Sequence, residues 1–185
     1  MNDTEKLRNL ELAPYIIRAT ALIGKHREVG GNQFRHAMST MSILLDYKLF
    51  DNPVILKAAV IHDLIEDIPG INENELRRID ADANRVVDLV LEVSRPEGVE
   101  KEDYLNRLLK NGSRNAKLLK VADRIQNLTD LHRDQYSRKK MRAYVWQTEK
   151  YILPMAREVN KHMAMELADL IKQRKKQLRF FKFKW

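Results

Sequence analysis

The stretch Ala58-Ala59-Val60-Ile61-His62-Asp63-Leu64-Ile65-Glu66-Asp67 places four ionisable residues in or at the end of an otherwise apolar segment. Moving an unpaired polar group out of water costs roughly 2–7 kcal/mol, and an isolated charge costs far more. Residues of this kind in this setting therefore need partners, and a bound metal ion is one that removes the penalty. Asn52 or Asp51 can cap a helix here, Pro53 suits its first position and Pro69-Gly70 ends it. Val54, Ile55, Leu56, Ala58, Ala59, Val60, Ile61, Leu64 and Ile65 make that helix apolar nearly all round, the pattern of a central, buried element. At 3.6 residues per turn His62 and Asp63 diverge by about 100°, yet both can lean onto one ion lying between them. Glu66 follows His62 by four and Asp67 follows Asp63 by four, so both carboxylates project toward the same flank. An isolated His-Asp pair at a helix end reads first as a structural cluster, and the rest of the chain has to decide.

A metal held by one His and one Asp draws further nitrogen or oxygen donors from other elements. His36 opens the helical pattern of Gln33-Phe34-Arg35-His36-Ala37-Met38-Ser39-Thr40-Met41, and Asp123 lies inside the apolar run Lys117-Leu118-Leu119-Lys120-Val121-Ala122-Asp123-Arg124-Ile125. Taken alone, His36 is a packed or surface histidine and Asp123 a partner for Arg124 or Arg133.

Together, the order His36, His62-Asp63, Asp123 across an all-helical chain resembles the HD-domain phosphohydrolases, in which these four residues would be the metal ligands. Within that superfamily the form HDxxED, His62 to Asp67, is similar to the hydrolase domain of the RelA/SpoT alarmone enzymes and their small stand-alone relatives. Three further blocks agree. Gly24-Lys25-His26-Arg27 looks like the family's opening segment, where an arginine at the place of Arg27 helps hold the nucleotide base. Lys120 to Asn127 looks like its K-x-A-D-R-x-x-N block, whose last residue, here Asn127, contacts the nucleoside. Glu92-Val93-Ser94-Arg95 is similar to a further segment that follows a helix. Lys140 and Tyr144 on a later helix would face the substrate phosphates by analogy with single-domain animal-type members, and read equally well as a solvated lysine beside a half-buried tyrosine; Lys25, in a matched block, adds positive charge that suits a polyanionic substrate. The chain departs from the family pattern at Glu28, Asn32 and Gln33, where a lysine and a Pro-Tyr pair are usual. A glutamate in place of a cation that packs on the base bears on base preference.

The resemblance implies an all-α HD-domain bundle and removal of pyrophosphate from the 3′ position of guanosine tetra- or pentaphosphate, with Mn²⁺ as the ion and Glu66 and Asp67 moving protons. Two histidines and two aspartates also suit Fe, Zn, Co or Mg. Related synthetases carry a nucleotidyl transfer domain downstream, and this chain stops before one could fit, so hydrolysis without synthesis is implied. The alternatives are the same centre acting on another nucleotide (ppApp, the NADPH 2′-phosphate or a nucleoside monophosphate) and a non-catalytic HD module that binds a nucleotide or nucleic acid.

The 185 residues show no evident linker or repeat and fit a single domain over 1–185, large enough to bury around 70% of its unfolded surface. The absence of cysteine excludes disulfides, thiolate nucleophiles and Cys-based zinc sites. No apolar run approaches the 18–20 residues or so of a membrane span and no basic-then-apolar leader opens the chain, which gives a cytoplasmic expectation. Periodicity predicts helices near 4–28, 33–48, 53–67, 73–78, 82–94, 100–110, 114–133, 138–158 and 160–179. Asp80 to Asp88 reads as solvated loop or helix edge. A net charge of +8 suits a polyanionic small substrate. The basic aromatic tail over 172–185 could also meet nucleic acid or an anionic surface. The stronger reading makes Lys172, Arg174, Lys175 and Lys176 the solvated face of a last helix, with Phe180, Phe181, Phe183 and Trp185 packed on the body or on a second copy in a homo-oligomer. His26 borders the base pocket in this reading, and His132 and His162 are exposed helix residues without a role.

Overall fold

The computed structural model describes residues 2–131 and 137–180. His132, Arg133 and the aromatic tail beyond Phe180 lie outside them, as does the side chain of Phe180. Among the described residues there is no strand, only an isolated bridge between His26 and Asn32, so the all-α expectation holds. No described helix is long and apolar enough to cross a membrane.

The chain divides into two compact units, one made of the chain to Arg27 with Gly31–Pro96, the other of Glu28–Gly30 with Glu97 onward. The first unit is built round the predicted central helix. Val54 to Ile61 are all buried, at 0–6% exposure, and define α4 (Pro53–Ile61), with Asn52 capping it through Ile55 N at 3.3 Å. Each fully buried Ile, Leu or Val contributes about 1.5–3 kcal/mol, so α4 anchors whatever its end carries. Against it pack α2 (Ala13–Ala19), α3 (Gln33–Asp46) and α7 (Ala83–Val93). Short helices α1 (Asp3–Arg8), α5 (Leu64–Asp67) and α6 (Glu73–Leu76) complete the unit.

The helix expected over 4–28 is broken after α1, and α2 restarts with Pro14 in its first turn before giving way to a 3₁₀ segment, Thr20–Gly24. Lys57 is a lone charge inside the apolar helix α4. Lys57, 6% exposed, donates to Asp80 Oδ2 and Asp82 Oδ2, both at 2.8 Å, while Tyr15 Oη donates to Asp80 Oδ1 at 2.9 Å. Asp80 and Asp82, read as solvated, thus form the anionic half of a cluster that ties α2 and the start of α7 to the central helix.

The second unit packs α9 (Arg114–Asp130) against α11 (Leu153–Val159) and α12 (Lys161–Phe180), with α8 (Lys101–Asn111) and α10 (Arg138–Gln147) beside them. The helix expected over 138–158 changes to a π-helical turn at Thr148–Ile152 because Pro154, near the start of α11, lacks the N–H that the ladder would use. Arg174 is not on the solvated face: it is buried, and its Nε donates to Leu128 O at 2.8 Å at the end of α9. Lys172, Lys175 and Lys176 are exposed as expected.

Candidate metal centre

In the first unit the sequence sets three donors at one point. Asn32 caps α3, accepting from Arg35 N at 2.9 Å, and its first turn carries His36 into the interior at 2% exposure. The central helix was expected to run through Asp67, but it stops at Ile61. His62 and Asp63 keep right-handed backbone angles (ψ −30° and −3°) without continuing the ladder, and α5 resumes at Leu64. This break, rather than leaning along a continuous helix, lets the adjacent side chains converge. His62 Nε2 lies 3.2 Å from His36 Nε2, and Asp63 Oδ2 lies 3.3 Å from the former and 3.5 Å from the latter.

The second nitrogen of His62 decides what faces that point. Nδ1 is 2.8 Å from Ala59 O. A carbonyl only accepts, so Nδ1 carries a proton, and in the neutral imidazole that leaves Nε2 as the nitrogen with a free lone pair. Such a backbone anchor is the usual support of a metal-binding imidazole. Two imidazole nitrogens and a carboxylate oxygen separated by 3.2–3.5 Å suit one first-row divalent ion, whose bonds of ~2.0–2.2 Å put neighbouring donors roughly 3.0–3.5 Å apart. The donor set therefore fits a divalent cation.

One turn on, Glu66 is exposed, whereas Asp67 is half-buried and engaged at both oxygens. Gln33 Nε2 donates to its Oδ2 at 2.6 Å, and Lys25 Nζ lies 3.3 Å from Oδ1. Lys25 and Gln33 flank a turn in which His26 is exposed and Arg27 partly buried.

In the second unit Asp123 sits at 8% exposure on α9. Its Oδ1 accepts from Asn127 Nδ2, and its Oδ2 lies 3.1 Å from Lys120 Nζ. Asn127 and Lys120 are thus among its partners on α9, while the Arg124 guanidinium turns to Tyr144 and Thr148. Burial pushes the Lys120 ammonium down, but the charge of Asp123 and the phenol of Tyr104 outweigh it and hold the group above the ordinary lysine range. Arg124 lies against the Tyr144 ring at 4.0 Å from its centre and donates to Thr148 Oγ1 at 2.9 Å; Lys101 lies 5.2 Å from the same ring centre. Lys140 Nζ is 3.8 Å from Glu28 Oε2, with both side chains about two-thirds exposed. The four residues Asp123, Asn127, Lys140 and Tyr144 thus share one unit. Sequence reading missed what Gln33 and Arg124 do, since their partners lie 34 and 24 residues away.

No protein-family model matches the chain. It is 28% identical over 153 residues to guanosine-3′,5′-bis(diphosphate) 3′-pyrophosphohydrolase MESH1 of Drosophila melanogaster, covering 75% of this chain and 79% of that one. It is 25% identical to the protein of the same name from Homo sapiens, covering 92% and 97%. Among solved structures it superposes on a metazoan ortholog of SpoT, described as hydrolysing ppGpp and acting in starvation responses, with a TM-score of 0.71 at 23% identity over 88% of this chain and 96% of that one. The fold is the helical HD-domain fold.

Proposed function

We propose that this chain, which folds as an HD domain and is related in sequence to the alarmone hydrolases, is a divalent-metal-dependent guanosine-3′,5′-bis(diphosphate) 3′-pyrophosphohydrolase. The observation that carries the reading is the convergence of His36 Nε2, His62 Nε2 and Asp63 Oδ2 within 3.5 Å, on relatives named for this activity. His36, His62, Asp63 and Asp123 hold the ion in this reading, and the chain acts as a single HD domain. Mn²⁺ is the ion by resemblance. When bound it polarises a phosphoryl oxygen and lowers the pKa of water beside it.

The protein groups do the rest. Glu66 and Asp67 position the attacking water and take its proton. Water adds to the phosphorus on the ribose 3′ oxygen, the P–O3′ bond breaks, and the 3′ oxygen leaves with a proton as pyrophosphate is released, giving GDP or GTP. Arg27 and Asn127 hold base and nucleoside, and Lys25, Lys140 and Tyr144 meet the phosphates. The excess positive charge raises the local concentration of such a polyanion. A cytoplasmic setting is consistent with a soluble nucleotide substrate.

One observation favours a second reading, the same chemistry on a nucleotide with another base or fewer phosphates: Lys140 lies beside the Glu28 carboxylate. The pair is exposed and worth little energetically, so it ranks second. The deciding experiment is pyrophosphate and phosphate release from ppGpp, ppApp, NADPH and mononucleotides by Mn²⁺-loaded protein, with Asp63→Ala as blank. Pyrophosphate from ppGpp supports the proposal, activity confined to another nucleotide favours the second reading, and silence with metal bound contradicts both.

A further inference from the structure

We propose that Gln33 is a positioning residue, whose side-chain amide holds the Asp67 carboxylate in the orientation from which it acts on the attacking water. This deepens the reading above, on which the role of Asp67 rests. Gln33 Nε2 donates to Asp67 Oδ2 at 2.6 Å, the short length of a bond to a charged acceptor. Lys25 Nζ lies 3.3 Å from Oδ1, so both oxygens have partners on the segment that leads into α3.

That segment is fixed by its own backbone. Gln33 N donates to Lys25 O at 2.9 Å and Arg27 N to Gly31 O at 3.2 Å. The turn between them uses Gly30 and Gly31 at φ +88° and +74°, values glycine adopts without a side-chain clash. Gln33 opens α3 directly after its capping residue, so its side chain leaves from a rigid point. Lys25, by contrast, reaches Asp67 on a half-exposed, flexible stem, which leaves the amide as the stiffer of the two supports.

The other end of the amide shows what orients it. Gln33 Oε1 is buried and has no hydrogen-bond partner among the described residues. Turning the group over would set this acceptor against an acceptor oxygen of Asp67, so the orientation with an unmatched buried oxygen is the one Asp67 dictates. A methionine of equal length would fill the same space without that cost. What the glutamine adds is an N–H aimed at Asp67.

The test compares wild type, Gln33→Met, Asp67→Asn and the double variant on whichever phosphorylated nucleotide the wild type turns over, so that silence on ppGpp removes the substrate assignment without touching the comparison. Gln33→Met is expected to lower kcat on the order of ten-fold with KM, metal content and melting temperature unchanged, and to have no further effect on kcat when Asp67 is already Asn. A KM rise at constant kcat, or an equal kcat loss in the Asp67→Asn background, overturns the proposal. A readout independent of activity accompanies it in protein loaded with a diamagnetic ion, Mg²⁺ or Zn²⁺, which the same donors also suit: the Gln33 side-chain N–H resonance should lie downfield and return to the ordinary amide position in Asp67→Ala. An ordinary position in the wild type overturns the proposal equally.

Discussion

Replacing Lys57 by Met removes one ammonium and keeps the aliphatic stem that packs inside α4. The Lys57 side chain is 8% exposed, and its nitrogen lies 2.8 Å from carboxylate oxygens of both Asp80 and Asp82. Breaking a buried ion pair from one side costs about 3–5 kcal/mol, because the abandoned charge stays buried. Here the acids retain 22% and 26% exposure, so water recovers part of the loss, and about 2–3 kcal/mol is expected. For a chain of this length that is a melting-temperature drop of roughly 5–10 °C, read by circular dichroism at pH 7. The same cluster sets an acid dependence. Burial pushes the Asp80 carboxyl up, but hydrogen bonds from Lys57 and Tyr15 and the Lys57 charge outweigh it and hold it below the ordinary value of 3.8. A carboxylate depressed in the fold stabilises above its unfolded pKa, and that contribution is lost as pH falls through the folded value. The gap between wild type and Lys57→Met should therefore be full at neutral pH and narrow below about pH 4. Equal melting temperatures at pH 7, or a gap that widens in acid, would refute the reasoning.

Asp63→Ala should lose bound metal and activity together, whereas Glu66→Gln should keep the metal and lose turnover; metal analysis of dialysed protein beside a pyrophosphate assay separates the two, and full metal stoichiometry in Asp63→Ala would refute the ligand assignment. Arg174→Met should lower the melting temperature by several degrees without changing metal content, because Nε donates to Leu128 O at 2.8 Å and each bond from a charged donor contributes about 1.5–3 kcal/mol. Gly112→Ala should cost about 1–3 kcal/mol in a denaturant titration, since a Cβ there runs into the Leu108 backbone carbonyl and meets Leu108 Cδ1 at 2.8 Å.

The parts legible from sequence were those set by local pattern. The run Val54 to Ile61 announced a buried helix because period and hydrophobicity agreed, with Asn52 and Pro53 marking its start, and α4 follows. His62 and Asp63 stood out in the sequence because polar groups in apolar surroundings need a partner, whereas His36 stood out only through the order of residues that resembles the HD-domain phosphohydrolases. The ladder's end at Ile61 was not legible. Nothing in His62 to Asp67 forbids helix, so no residue there announces the break at His62-Asp63. Pro14 and Pro154 were available signals for the divided helices, since proline withholds an N–H from the ladder. The role of Lys57 left no mark in the sequence because its acids lie 23 and 25 residues away, and Arg174 read as surface because its partner carbonyl lies 46 residues back. Pairings of that separation leave no periodic trace.

The central claim is tested most directly by incubating Mn²⁺-loaded protein with ppGpp and following pyrophosphate and GDP together, with Asp63→Ala in parallel. The account predicts the two products in equal amounts from the wild type and neither from the variant. No pyrophosphate from wild-type protein with metal bound, or equal release by Asp63→Ala, would contradict it.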